Sequence, residues 1–309
     1  MYVDIILTVI GSLGLLVGTI TDFKKREVAD WINYGMIFSG IGLRLLYSII
    51  NLDWQFIAFG GAWLLIAYGF GLIMFYSGQW GGGDVKMIMG LGALFGTAPV
   101  FFDGSWDVIS YGLSLIGITT AYNVSFMLHF LFNAFFIGSI YGILWTIGLV
   151  IINWQPFKKT FAEMIGHTYA KWSIAAVVLL FLGGYVMLVV MDRWDALLQT
   201  ILWLVLAIPV LTIFVKAVEK SAMIRMMDIK DLTEGEWIVD EVKIDGKYIC
   251  GPKDLGVSLD AIKRLRSLQK KKKLDKVKVK IGIPFVPAFL LAFVFTVFFG
   301  NVASLIVVL

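Results

Sequence analysis

Eight stretches of this chain, near 3–21, 32–50, 56–76, 85–102, 124–152, 171–191, 196–218 and 283–307, are dominated by apolar residues over roughly the 20 positions needed to cross hydrocarbon. No other sequence feature limits the fold as strongly. A segment in lipid finds no water for its backbone N–H and C=O groups, so only a helix or a closed barrel satisfies them. Runs this long and this continuous specify helices. Composition agrees: 59% of residues are hydrophobic and 16% charged, against about 45–50% apolar in soluble domains. The expected fold is an all-α integral membrane protein, a polytopic bundle of about eight transmembrane helices with a small α+β cytoplasmic insert. The first run begins with Asp4 rather than a basic region and has no small-residue cleavage pattern, so it reads as a retained helix rather than a signal peptide.

Charge orients the bundle. With the runs counted as crossings, one face receives Lys24, Lys25, Arg26, Lys86, Lys158, Lys159, Lys171 and the basic residues of 216–281. Of the 26 Lys and Arg, only Arg44 and Arg193 fall elsewhere. The opposite face receives Asp4, Asp53, Asp103, Asp107, Asp192 and Asp195. Basic loops stay in the cytoplasm, so the expected topology is a multi-pass protein of the cell membrane with its N-terminus outside. The net charge of +4 follows from this bias, and no nucleic-acid partner is expected. Residues 108–152 admit two readings, one long helix after a short interfacial or re-entrant piece at 108–121, or two spans. A single span keeps Lys158 and Lys159 on the basic face. Asn123-Val124-Ser125 then lies near the outer face as a weak glycosylation signal.

Three parts are expected: a membrane catalytic domain at 1–218, a soluble insert at 219–281 and a final transmembrane helix at 282–309. Within the insert, alternating residues flank Asp245-Gly246, which signals a β-hairpin over 242–249. Ser258 to Leu268 reads as a short basic helix. The run Lys270–Lys273 reads either as a positive-inside signal or as a dock for anionic lipid or an acidic partner.

Two acids carry the functional reading. Asp22 ends the first apolar run. Asp84 sits in Gly81-Gly82-Gly83-Asp84, where glycine lets another chain approach closely. Three crossings separate them, so both belong to the cytoplasmic face. Ionisable groups at membrane depth are costly and mark functional sites. Two carboxylates that meet cannot both ionise, and such a pair leaves one acid and one base near neutral pH, the state that activates water against a peptide carbonyl. Asp30 also has a purely structural use as the cap of the second helix, and Asp84 as the cap of the fourth.

This pattern, an Asp after the first helix, then a charged loop with Trp31 and Asn33, then Gly81-Gly82-Gly83-Asp84 before the fourth helix, resembles the type IV prepilin peptidases and most closely their archaeal preflagellin (prearchaellin) branch. The likeness covers about residues 1–105 and returns at Ile283-Pro284-Phe285-Val286-Pro287, similar to the family's proline-containing approach to its last helix. It implies a Gly-x-Gly-Asp aspartic endopeptidase with Asp22 and Asp84 catalytic and Gly81 and Gly83 as motif glycines. It also implies removal of short basic leaders from pilin- or archaellin-like precursors at the cytoplasmic membrane face, without a cofactor. Glu27 and Asp30 are candidate contacts for a basic leader. The tetracysteine domain and the methyltransferase activity of many bacterial members are not expected. Eight helices exceed the six usual in short archaeal members.

Other chemistry finds less support. The single Cys250 excludes an internal disulfide and a cysteine-based zinc site. His129 and His167 lack metal-binding spacing, and His129 reads as a core histidine bonded to a neighbour. The 11 Trp serve as interface anchors and packing groups. Two competing readings are a presenilin- or signal-peptide-peptidase-like enzyme that cuts within transmembrane helices, and a carboxylate-lined transporter. Asp22 follows Thr21 at a basic helix end rather than lying inside a helix, which favours leader cleavage.

Overall fold

A computed structural model of the chain describes residues 2–99, 102, 113–119, 122–123, 125–191, 196–244, 246–272 and 274–302. Asp103, Asp107, Asp192, Arg193, Asp195, Val124 of the sequon, Asp245 of the hairpin, Lys273, residues 303–307 and most of 108–121 lie outside these. The chain divides into two compact units, one made of Met1–Ile143 with Gly282–Leu309 and the other of Leu144–Ile281. The hydropathy reading instead drew its boundary at 218.

The first unit contains α1 (Tyr2–Lys25), α2 (Asp30–Asn51), α3 (Trp54–Tyr76), α4 (Gly82–Phe95), most of α5 (Phe126–Ile152) and α10 (Val286–Phe299). Helix α1 carries Asp4 in its first turn and Lys24 and Lys25 in its last, which complements the helix dipole. It stops at Arg26, whose φ of 57° places it in the left-handed region while its N–H returns to the Asp22 carbonyl at 2.9 Å, a one-bond helix terminus. Helix α2 ends similarly at Leu52, φ 55°. Asp53 then caps α3 by accepting from the Gln55 N–H at 3.2 Å.

Helix α4 is the centre of this unit and packs on α1, α2 and α3. At 14 residues it is about 21 Å long, short of the ~30 Å of hydrocarbon. Its C-terminal carbonyls therefore need partners inside the protein. Fully buried Arg44 supplies them: its guanidinium donates to the Ala93 carbonyl at 2.9 Å, the Leu94 carbonyl at 2.7 Å, the Phe56 carbonyl at 3.0 Å and the Thr97 hydroxyl at 3.0 Å. Arg44 also lies over the Phe56 ring. Helix α10 runs antiparallel to α5. Asn133 donates to Thr296 and Gly300 and accepts from Val302, Phe130 meets Phe289, and Gly138 abuts Phe285. Buried His129 lies 3.1 Å from Asn301.

The second unit holds α6 (Trp154–Gly166), α7 (Thr168–Val190), α8 (Ala196–Val218) and a strand region. A π-helical turn, Glu219–Met223, leads from α8 into β1 (Ile224–Asp228). Strand β5 (Lys276–Lys280) lies between β1 and β2 (Trp237–Ile238), antiparallel to both. In Lys276-Val277-Lys278-Val279-Lys280 the two valines are buried and the lysines face outward, the period-two pattern of a one-sided strand. The hairpin forms from β3 (Val242–Ile244) and β4 (Lys247–Cys250). Helix α9 (Leu259–Lys270) is capped by Ser258. Ile229, Leu232, Ile238, Cys250, Val257, Ile262, Leu265, Val277 and Val279 form this region's own core.

The protein is thus mostly helical with a small strand region. Among the described residues, five helices are long and apolar enough to cross a membrane: α1, α3, α5, α7 and Leu198–Met223. The expected count of about eight is not reached. Helix α2 carries buried Asn33 and Arg44, which reduce its apolarity, while α4 and α10 are each only 14 residues.

Candidate active site

Asp22 sits in the last turn of α1 and is buried, 6% exposed. Its carboxylate accepts the Val286 N–H at 3.0 Å, and the Phe285 N–H faces it as well. Val286 is the first residue of α10, so a carboxylate from the start of the chain satisfies the open N–H groups of a helix near its end. The local sequence explains why this donor is presented. Pro287 follows Val286 and has no N–H of its own, and proline early in a helix pre-sets its first turn. Arg26 ties the same junction by donating to the Gly282 carbonyl at 2.6 Å.

Asp84 occupies the third position of α4 and reaches back to accept the Gly81 N–H at 2.9 Å. This is the carboxylate half of a capping box. It explains in structural terms why an acid follows three glycines. Gly83 packs against Val28, where a side chain would make contact, and buried Asn33 reaches its carbonyl at 3.5 Å. Trp80, immediately before the glycines, is buried against Phe70, Phe285 and Phe289. It anchors a loop that has few side chains of its own.

The packing of α1 on α4 brings the two acids to one end of the unit. One turn before Asp22, Gly18 meets Met87, one turn after Asp84, and also Val286 and Val28. Further along α1, Gly11 meets Phe95. Small residues spaced along a helix let a neighbour approach closely, and here they set α1 against α4 with Asp22 and Asp84 at the same level. The carboxylates are close enough to act on one another electrostatically. Asp22 is enclosed and Asp84 half-buried.

The other sequence candidates lie nearby in different settings. Asp30 is exposed and pairs with Lys86 at 2.6 Å, two residues beyond Asp84. Lys86 also lies over the Tyr34 ring. Glu27 is exposed in the short turn between α1 and α2. Among the described residues no group of three or more His, Cys, Asp and Glu is arranged to hold a metal ion.

Sequence reasoning passed over three contributors. Arg44 was visible as a lone cation within an apolar run, a pattern that signals an internal partner. Trp80 had no signal beyond its place before the glycines. Tyr141 of α5, in electrostatic contact with Asp22 and Arg26, had none, because only the tertiary fold brings α5 to this point.

Residues 9–143 match the Type IV leader peptidase family, a span that ends where the first unit's continuous stretch ends. The chain is 38% identical over 86 residues to a preflagellin peptidase of Methanococcus maripaludis, covering 28% of this chain and 37% of that protein. It is 36% identical over 86 residues to the preflagellin peptidase of Methanocaldococcus jannaschii, covering 28% and 36%. A third, from Methanococcus voltae, is 38% identical over 85 residues, covering 28% and 36%. The similarity thus spans little more than a third of each relative. Together the matches support a preflagellin and type IV leader peptidase kinship for this part of the chain.

Proposed function

We propose, from the kinship of residues 9–143 with type IV leader peptidases, that this protein is a membrane aspartic endopeptidase that removes short basic leaders from prepilin- or prearchaellin-like precursors. The observation that carries the reading is the placement of Asp22 and Asp84 at one end of the matched unit, each on a helix terminus and each within electrostatic reach of the other. In this mechanism the pair shares one proton. The ionised acid takes a proton from water as the hydroxyl adds to the scissile carbonyl carbon. The protonated acid delivers its proton to the carbonyl oxygen, giving a gem-diol. The proton taken from water then passes to the amide nitrogen as the C–N bond breaks, while the other acid recovers a proton from the gem-diol. No cofactor enters.

The proposed orientation has the N-terminus outside and the acids at the cytoplasmic face, in a cell-membrane bundle of eight crossings that includes α2, α4 and α10 lying against their neighbours. The precursor's apolar helix would lie beside the enzyme in the bilayer, with its basic leader reaching the dyad. Glu27 and Asp30 are proposed leader contacts; Asp30 would exchange Lys86 for a leader cation. Residues 1–218 with 282–309 would supply the membrane catalytic part, and 219–281 would be a soluble insert. No methyl transfer is proposed.

The test is cleavage of a leader-bearing pilin or archaellin precursor in membranes by the parent, Asp22→Asn, Asp84→Asn and, as an unrelated exposed carboxylate, Asp260→Asn. Loss by at least about a hundred-fold in the first two, with Asp260→Asn at parental rate, is the expected result. Undiminished cleavage by both dyad variants would sink the aspartic mechanism.

A further inference from the structure

The two acids have unequal surroundings. Asp84 takes one N–H, from Gly81. Asp22 takes the Val286 N–H and has Arg26 and the backbone of Phe285 beside it. A further polar group faces Asp22 from a different helix. Along the antiparallel pair α5 and α10, His129 lies by Asn301 just past the end of α10, Asn133 meets Thr296 and Gly300, and Gly138 abuts Phe285 and Ala288. As α5 advances, its contacts therefore move toward the beginning of α10. Tyr141 follows Gly138 by three residues, on the same face. That register delivers its side chain to the junction where Asp22 holds Val286 and Arg26 holds Gly282. Its hydroxyl oxygen is buried, and the phenol interacts electrostatically with both Asp22 and Arg26.

We propose that Tyr141 is a positioning residue for the dyad, directing its hydroxyl toward the Asp22 carboxylate so that Asp22 is held as the ionised base and Asp84 carries the proton. This rests on the peptidase reading above and assigns the two roles that reading leaves symmetric. Among the described residues, the charged and titratable groups facing Asp22 are Arg26 just past the end of its own helix, Asp84 on α4 and Tyr141 on α5. From α10 it meets only backbone. With the roles fixed, Asp22 takes the proton from water and later passes it to the leaving nitrogen. Asp84 protonates the carbonyl oxygen and is reprotonated from the gem-diol.

The experiment is Tyr141→Phe in the full chain, which keeps the ring and removes the hydroxyl. Precursor cleavage is followed across pH in membranes, and the carboxyl bands of the purified protein are titrated by infrared difference spectroscopy, with Asp22→Asn assigning the Asp22 band. When the hydroxyl closes on the carboxylate in the reacting complex, such a hydrogen bond to a charged group is worth about 1.5–3 kcal/mol, so kcat should fall roughly ten- to hundred-fold. KM should stay unchanged, and the acid limb of the profile should move to higher pH. Tyr141→Gln, which restores a donor, should recover part of the rate. If the Asp22 band and the acid limb stay where they are in the parent, the proposal is overturned, even if the variant is less active. A displaced Asp22 band in a protein whose parent cleaves no precursor would support Tyr141's hold on Asp22 and count against the peptidase reading alone.

Discussion

Arg44 illustrates how one side chain can set the length of a helix. Its guanidinium occupies the carbonyls of Ala93 and Leu94, so α4 can end in the protein interior. Arg44→Leu would leave those acceptors without donors where water cannot replace them, at about 1–3 kcal/mol each. The expected result is a loss on the order of 3 kcal/mol or more in stability, measured by thermal unfolding in detergent. Arg44→Lys should recover little, because an ammonium cannot span several acceptors as a guanidinium fork does. Cys250 gives a second residue-scale expectation. Burial, and secondarily the nearby Asp254 carboxylate, push its thiol up to about 11. The reactive thiolate is then about one part in a thousand at pH 8. Maleimide labelling of the native protein at that pH should be slow, and unfolding in denaturant should make it rapid.

Helices here are positioned by what they lack as much as by what they carry. The Gly11 and Gly18 positions of α1 let α4 approach, and a Cβ at Gly18 would lie against Met87. Gly18→Leu should push α1 from α4 and spoil the alignment of Asp22 with Asp84 without altering either acid. Precursor cleavage should fall at least about ten-fold, since a misplacement near 1 Å can cost a hundred-fold. Gly69→Ala, on α3 with open space around its Cβ, is the matched control and should cleave at the parental rate. If both glycine variants cleave normally, the close approach of the two helices does not set the site. The lead-in to α10 works by the same economy of groups: Pro287 offers no N–H, so the Val286 donor is the one presented to Asp22.

At the scale of the whole molecule, the first unit is divided in sequence by residues 144–281. Within that stretch the strand region brings its own two ends together: Ile224 is paired with Lys280 and the Ile281 N–H donates to the Met223 carbonyl at 2.8 Å. A region with adjacent ends and a core of its own should fold when excised. Residues 222–282 alone are therefore expected to be soluble and to unfold cooperatively, as read by circular dichroism on heating. A gradual, non-cooperative signal would mean that this core needs the helices that precede it.

The membrane solvent, the existence of most helices, the hairpin and the kinship of the first part of the chain were legible in the sequence because they depend on local quantities. Hydropathy over twenty residues, the period-two alternation of strands and a glycine run before an acid can each be read without knowing what lies across the fold. That Asp22 and Asp84 belong to one face was inferred from a count of crossings. Crossing parity assigns a face, but it gives neither the depth of two groups nor the helices that bring them level. The tertiary structure decided what hydropathy cannot encode. Helix α4 is short because Arg44 closes it from α2, and the last helix begins where Asp22 receives its N–H. Each is a contact between residues distant in sequence, where burial makes an unmet hydrogen bond costly, and only the folded chain determines which partners meet.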